Sequence, residues 1–239
     1  MSKFQMLNNI AHKDLRIITE KSAKYGDSVN GCLVFPEEFA RIQKEYPIFF
    51  QKDGETGEFE AVAIFGFAQS ENLFLEGNSW NANYIPALML REPFLIGFQK
   101  NQDSGDLQPV IHVDMEHARI SKGAEGEQVF LEHGGNSSYI DDVSKTLMLI
   151  HEGIDMSKDM FSAFLSMDLI ESFVLNIEFT NKTRYTSESY YTINQEKLFS
   201  LDESAVSKLH KAGYLYYAYS VISSLGNIEK LIDMHQKQH

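Results

Sequence analysis

The sequence predicts an α+β fold, a strand-rich N-terminal half packed with a mainly helical C-terminal half. Up to about Gln108, short apolar runs are separated by turn clusters, which is the pattern of strands. From Tyr139 onward, apolar residues recur at intervals of three and four, which is the pattern of helices. No internal repeat and no low-complexity tract occurs, so the elements are expected to form one domain over residues 1–239. Any sub-boundary would fall in the polar segment 121–127, Ser-Lys-Gly-Ala-Glu-Gly-Glu.

Short strands are expected at Ile17–Thr19 and Gly31–Val34. Pro36-Glu37-Glu38 then opens a helix, with proline in its first turn, acids near the positive end of the dipole, and Phe39 and Ile42 on its apolar side. Tyr46–Gln51 and Glu60–Phe67 read as a hairpin around the turn cluster Asp53-Gly54-Glu55-Thr56-Gly57. Leu73–Leu75, Phe94–Phe98 and Val110–Val113 complete the strands of the first half, the last two separated by the polar loop Asn101–Gln108. Gln128–Leu131 is a short strand closing into the turn His133-Gly134-Gly135-Asn136.

A helical pattern then runs from Tyr139 to about Leu169, with Leu147, Ile150, Ile154, Phe161, Phe164 and Leu165 on one face and a break or bend expected at Gly153. Ser172–Thr180 and Tyr190–Ile193 read as strands. Three helices should follow. The first starts at Ser200–Glu203 and ends at Gly213, and the second buries Leu215, Tyr219 and Ile222. The third is N-capped by Asn227 and buries Ile228, Leu231 and Ile232.

Composition narrows the class. The 239 residues carry 21 basic and 34 acidic side chains, a formal net charge of −13. That balance argues against non-specific nucleic-acid binding, which needs a basic face, and against docking on anionic lipid by charge alone. Hydrophobic residues at 43% are too many for a disordered chain. The single cysteine, Cys32, excludes an internal disulfide and reads as a buried structural thiol among Leu33, Val34 and Phe35. The first residues lack a signal-peptide pattern, and the longest apolar stretch, near Ala61–Ala68, falls far short of a membrane span. A cytoplasmic protein is expected.

The sharpest enzyme-like signal is His112-Val113-Asp114. A His-x-Asp pair with a distant histidine, here His133, His151 or His210, can form the facial triad of a non-haem iron oxygenase. The plainer alternative is a strand end whose alternate residues happen to share a face. No nucleophile elbow, phosphate-binding loop, zinc-protease helix or paired Cys-x-x-Cys accompanies it. Tyr214, Tyr216, Tyr217 and Tyr219 cannot all point one way on a helix, so some should pack and some should line a surface. The densest run of unusual residues lies between Glu71 and Phe94. Asn72, Trp80, Tyr84, Arg91 and Phe94 are its candidates, as a recognition surface or as a structural hub in which Arg91 holds backbone carbonyls.

The same region carries a family likeness. Glu45-Tyr46-Pro47-Ile48-Phe49-Phe50, Ala63-Ile64-Phe65-Gly66-Phe67 and Glu71-Asn72-Leu73-Phe74-Leu75 resemble the bacterial SapC family. So do Trp80 with Tyr84-Ile85-Pro86-Ala87, Arg91-Glu92-Pro93-Phe94, Thr192–Leu198 and Ser224-Leu225-Gly226-Asn227. Where the family usually has Arg-Arg-Tyr-Pro-Phe, this chain has Leu90-Arg91-Glu92-Pro93-Phe94, and His112 stands where the family pattern has no histidine. The resemblance implies an accessory or binding protein with a protein or peptide partner, acting beside tryptophan-halogenase-like and cupin-like proteins. It implies no catalytic residue and no cofactor. Two alternatives stand beside it, an iron dioxygenase-like enzyme using His112 and Asp114, and a surface-layer component.

Overall fold

Antiparallel pairing dominates this computed structural model, which describes residues 3–101, 105–180 and 182–238 and has four sheets among them. In chain order the strands are β1 (Phe4–Met6), β2 (Arg16–Ile17), β3 (Gly31–Leu33), β4 (Ile48–Lys52), β5 (Phe59–Ile64), β6 (Leu75–Glu76), β7 (Ser79–Trp80), β8 (Phe94–Lys100), β9 (Leu107–Asp114), β10 (Glu127–Gln128), β11 (Ile170–Glu178) and β12 (Arg184–Ile193). The helices are α1 (Phe39–Ile42), α2 (Ala87–Leu90), α3 (Ser138–Ser166), α4 (Gln195–Phe199), α5 (Glu203–Lys211), α6 (Tyr214–Ser224) and α7 (Asn227–Gln238). The class is α+β, with the helices concentrated in the C-terminal half. The chain forms two compact units, neither of them continuous: Met1–Asp27 with Glu76–Trp80 and Ala87–Glu152, and Ser28–Leu75 with Asn81–Pro86 and Gly153–His239. The polar segment 121–127 lies inside the first.

In the first unit, β9 is the middle strand of β1-β9-β8, and a ribbon pairs β10 with β2. Opposite residues share a sheet face, and the pair Phe94 and Val113 is fully buried. Around it gather Leu15, Ile17, Val129 and Phe130, together with Ile140, Val143 and Leu147 from the first turns of α3.

In the second unit, five strands run in the order β11-β12-β4-β5-β3. The expected hairpin is present, with Ile48 to Lys52 opposite Ala63 to Phe59. β4 sits in the centre, so Ile48, Phe49 and Phe50 are all fully buried, a continuous apolar run rather than an alternating one. Phe50 meets Phe161 and Phe164 of α3, with ring centroids 4.9 and 6.3 Å away. Phe49, one residue earlier, stacks on Tyr190 at 4.8 Å.

Three expectations about helices are corrected here. α3 runs unbroken through Gly153, because glycine serves contact there and not termination: an added Cβ would stand 2.6 Å from the Phe35 Cβ. Ile154 and Leu165 of the same helix are exposed. α6 buries Ala218, Ser220, Val221 and Ser224 and leaves Tyr219 outside, since small residues allow the close approach to β4 in which the Ser224 hydroxyl accepts the Ile48 N–H at 2.8 Å. In α7 only Leu231 is fully covered, and the Asn227 amide does not cap but donates to the Gln43 and Tyr46 carbonyls at 2.8 and 3.2 Å.

Candidate functional site

Tyr84 and Asn72 belong to the second unit. The short helical turn Pro36–Glu38 leads into α1 and withdraws the Glu38 carboxyl from water. One of its oxygens accepts the Phe35 N–H at 3.1 Å, and the other accepts the Tyr84 hydroxyl at 2.8 Å. The Tyr84 carbonyl in turn accepts the Tyr46 hydroxyl at 2.6 Å, and the Arg41 guanidinium lies 5.3 Å from the Tyr84 ring centre. Burial first, and the Glu38 carboxylate second, push the Tyr84 phenol far above its ordinary range, so it acts as a donor at any physiological pH. Asn72 is buried, and its side-chain oxygen accepts the Phe74 N–H at 3.1 Å, which shapes the turn before Leu75.

Nearby, Glu45 accepts from the Asn83 amide at 2.5 Å and from Lys230 at 2.9 Å. Burial pushes the Glu45 carboxyl up, but these hydrogen bonds prevail and hold it below its ordinary value.

Trp80, Arg91 and Phe94 belong to the first unit. Trp80 is buried at the end of β7, and Phe94 sits in the core, 6.3 Å from the Tyr139 ring. Arg91 is half-buried. It donates to one carbonyl, that of Phe94, at 3.1 Å, and pairs with Glu92 at 3.2 Å, while its Nε has no hydrogen-bond partner. A fuller carbonyl hub stands at Arg119, which the sequence did not single out. The Arg119 side chain is 2% exposed, grips both Asp27 oxygens at 2.7 Å, and donates to the Ile18 and Glu20 carbonyls at 3.0 and 2.7 Å. Lys21 joins them, donating to the Met89 carbonyl at 2.8 Å and lying 3.8 Å from Asp27. Asp27 and Arg119 lie 92 positions apart, so no local motif could have flagged the pair.

His112 and Asp114 both lie on β9, but each is already engaged. The His112 ring covers Gly97, where a Cβ would come within 2.6 Å of it. The Asp114 carboxylate accepts the Lys3 and Glu116 N–H groups, each at 3.0 Å. His151 packs against Phe98 at 4.7 Å, while His133 and His210 are exposed. Among the described residues, no three His, Cys, Asp or Glu side chains gather to hold a metal. Burial, and then Glu38, push the Cys32 thiol well up, so it is protonated at neutral pH and a poor nucleophile.

The second unit also presents an aromatic face. Phe199 of α4 is 68% exposed, and Tyr216 and Tyr219 of α6 are 53% and 43% exposed. The Phe199 and Tyr219 rings lie 6.4 Å apart, and Tyr216 shares the helix face of Tyr219 at a spacing of three. Tyr217 points the other way, edge-on to Phe39 at 5.8 Å. The tyrosine run thus divides into packed and surface members.

No described helix is long and apolar enough to cross a membrane. Comparison with curated proteins and with solved structures returns no match. Comparison with protein families matches SapC over residues 7–231, which takes in both units and nearly the whole length. The chain belongs to the SapC family.

Proposed function

We propose that this chain is a non-catalytic binding or accessory protein whose partner is a protein or peptide. The exposed face of Phe199, Tyr216 and Tyr219 carries the reading. Tyrosine and phenylalanine dominate protein interfaces because a flat amphipathic ring buries much area at little conformational entropy. Asn72, Trp80, Tyr84, Arg91 and Phe94 take the other part in this reading. They hold local structure, Asn72 and Tyr84 in the second unit and Trp80, Arg91 and Phe94 in the first. The burial of Asn72, Trp80 and Phe94, the Tyr84–Glu38 bond, and the backbone hydrogen bonds of Asn72 and Arg91 support this part. In this reading the protein is cytoplasmic, and the family resemblance adds a place beside tryptophan-halogenase-like and cupin-like proteins.

The test starts from a partner that copurifies with the full chain and is identified by mass spectrometry. Phe199→Ala combined with Tyr219→Ala should weaken that complex at least about tenfold while the melting temperature holds, as expected when two interface anchors are lost. An unchanged affinity places the interface elsewhere. Stoichiometric iron that is lost in His112→Ala would replace the reading with an enzymatic one.

A further inference from the structure

A groove of about 480 Å³ opens in the second unit between the β4–β5 turn and the last turns of α3. Its construction is legible from register. Lys52 stands opposite Phe59 and Phe50 opposite Tyr191, so these four side chains share one face of the sheet. On α3, Lys158, Phe161 and Leu165 follow one another at spacings of three and four, which sets them on one stripe.

The floor is aromatic: the Phe59 and Phe161 rings stack at 28° with centroids 6.0 Å apart. One wall is the turn after Lys52, tied down by the Asp53 carboxylate, which accepts the Thr56 N–H at 2.6 Å and the Thr56 hydroxyl at 2.8 Å. The other wall includes Leu165, 53% exposed.

Two lysines border this apolar floor. The Lys52 Nζ lies 5.2 Å from the Phe59 ring centre and 5.5 Å from that of Tyr191, which directs it over the aromatic surface. Lys158 lines the groove from the helix. Among the described residues neither lysine is in an ion pair, and Glu58 is the one acid in the lining. In a chain of net charge −13, one lysine over the aromatic floor and a second on the facing helix stand together in this groove, with the Asp53 carboxylate turned into the adjoining turn.

We propose that this groove binds a small organic carboxylate with a flat apolar body, the body lying on Phe59 and Phe161 and the carboxylate between Lys52 and Lys158. The volume falls in the range of small-molecule sites, about 300–1,000 Å³, and the mixture of an apolar floor with few charged groups is their usual chemistry. The site is separate from the aromatic face at Phe199, so either can fail without the other.

The experiment uses the full chain and three probes of one shape, read by calorimetry or ligand-observed NMR: naphthoate, the neutral naphthalenemethanol and the cationic naphthylmethylammonium. Naphthoate should bind, the neutral analogue about tenfold more weakly, and the cation more weakly still. Lys52→Met and Lys158→Met should each weaken naphthoate about fivefold, the size of one partly exposed ion pair, and high salt should do the same. Leu165→Asp, at an exposed position, should abolish binding in a protein that still melts cooperatively. Absence of naphthoate binding at about millimolar concentration overturns the proposal. So does equal binding of all three probes, or binding indifferent to both lysines.

Discussion

Asp27 and Arg119 are both about 2% exposed in their side chains, and their bond is two-pronged. Removing two charges from water is costly, and only dense hydrogen bonding offsets it. Here the Ile18 and Glu20 carbonyls supply that bonding. Arg119→Leu takes the bidentate counter-charge from the Asp27 carboxylate, leaving it the Ser22 N–H and Lys21, and should cost about 3–5 kcal/mol, readable as a shift of the urea midpoint. A loss below about 1 kcal/mol would mean that water reaches Asp27 in the variant.

Lys21 beside this pair gives a pH signature. Burial first, then the Arg119 charge, lower its pKa from 10.5 to about 8, with Asp27 and Glu92 opposing. Below pH 8 the lysine is charged in both states, and the penalty of burying it is fully present. Between 8 and 10.5 the unfolded chain holds a proton that the folded chain has released, so stability rises with pH through that window. The rise is on the order of 3 kcal/mol. Lys21→Met lacks the titrating group, so the stability of the parent minus that of the variant should climb from pH 8 to 10.5. A flat difference would show that Lys21 is well solvated.

At the scale of elements, α3 shows how a helix residue of poor propensity is kept for contact. Gly153→Ala should gain about 1 kcal/mol from helix propensity alone. The new Cβ, however, would meet the Phe35 Cβ at 2.6 Å and Cγ at 2.7 Å, atoms close to the backbone that cannot swing away. Overpacking of this kind costs about 1–3 kcal/mol, so a net loss of about 1 kcal/mol is expected by denaturant unfolding. A stabilised variant would mean that the helix and the Phe35 segment separate easily. α6 follows the same logic through Ala218 and Ser224, whose small size sets the distance to β4.

At the scale of the whole molecule, the central sheet joins distant parts of the chain. β12, from the C-terminal half, lies beside β4 from the first half, and α6 and α7 add Ala218, Val221 and Leu231 to the buried residues. Ending the chain after Gly213 removes both helices, exposes the Tyr46–Phe50 segment they bond to, and deprives the Ile48 N–H of its acceptor. Each large side chain stripped of its cover costs about 1.5–3 kcal/mol, against a total stability of about 5–15 kcal/mol. The truncated protein should be insoluble, or lack a cooperative melt and near-UV dichroism. A monomer melting at the parent temperature would show that these helices are appendages.

Local pattern by itself determined the α+β class, the β4–β5 hairpin, the long helical stretch after Tyr139 and the helix boundary at Gly213. Turn residues, prolines and the periods of two and three to four act over a few positions and need no partner. Runs such as Glu45–Phe50 and Glu71–Leu75 also sufficed to place the chain beside SapC. Which face of α6 is buried, why Gly153 lies within α3, and that Arg119 holds Asp27 were decided only in the tertiary structure. So was the placing of Lys52 and Lys158 around one aromatic floor. A helix presents several nearly equivalent apolar stripes, and the partner surface selects among them. A buried ion pair 92 positions apart likewise leaves no periodic trace in the residues between.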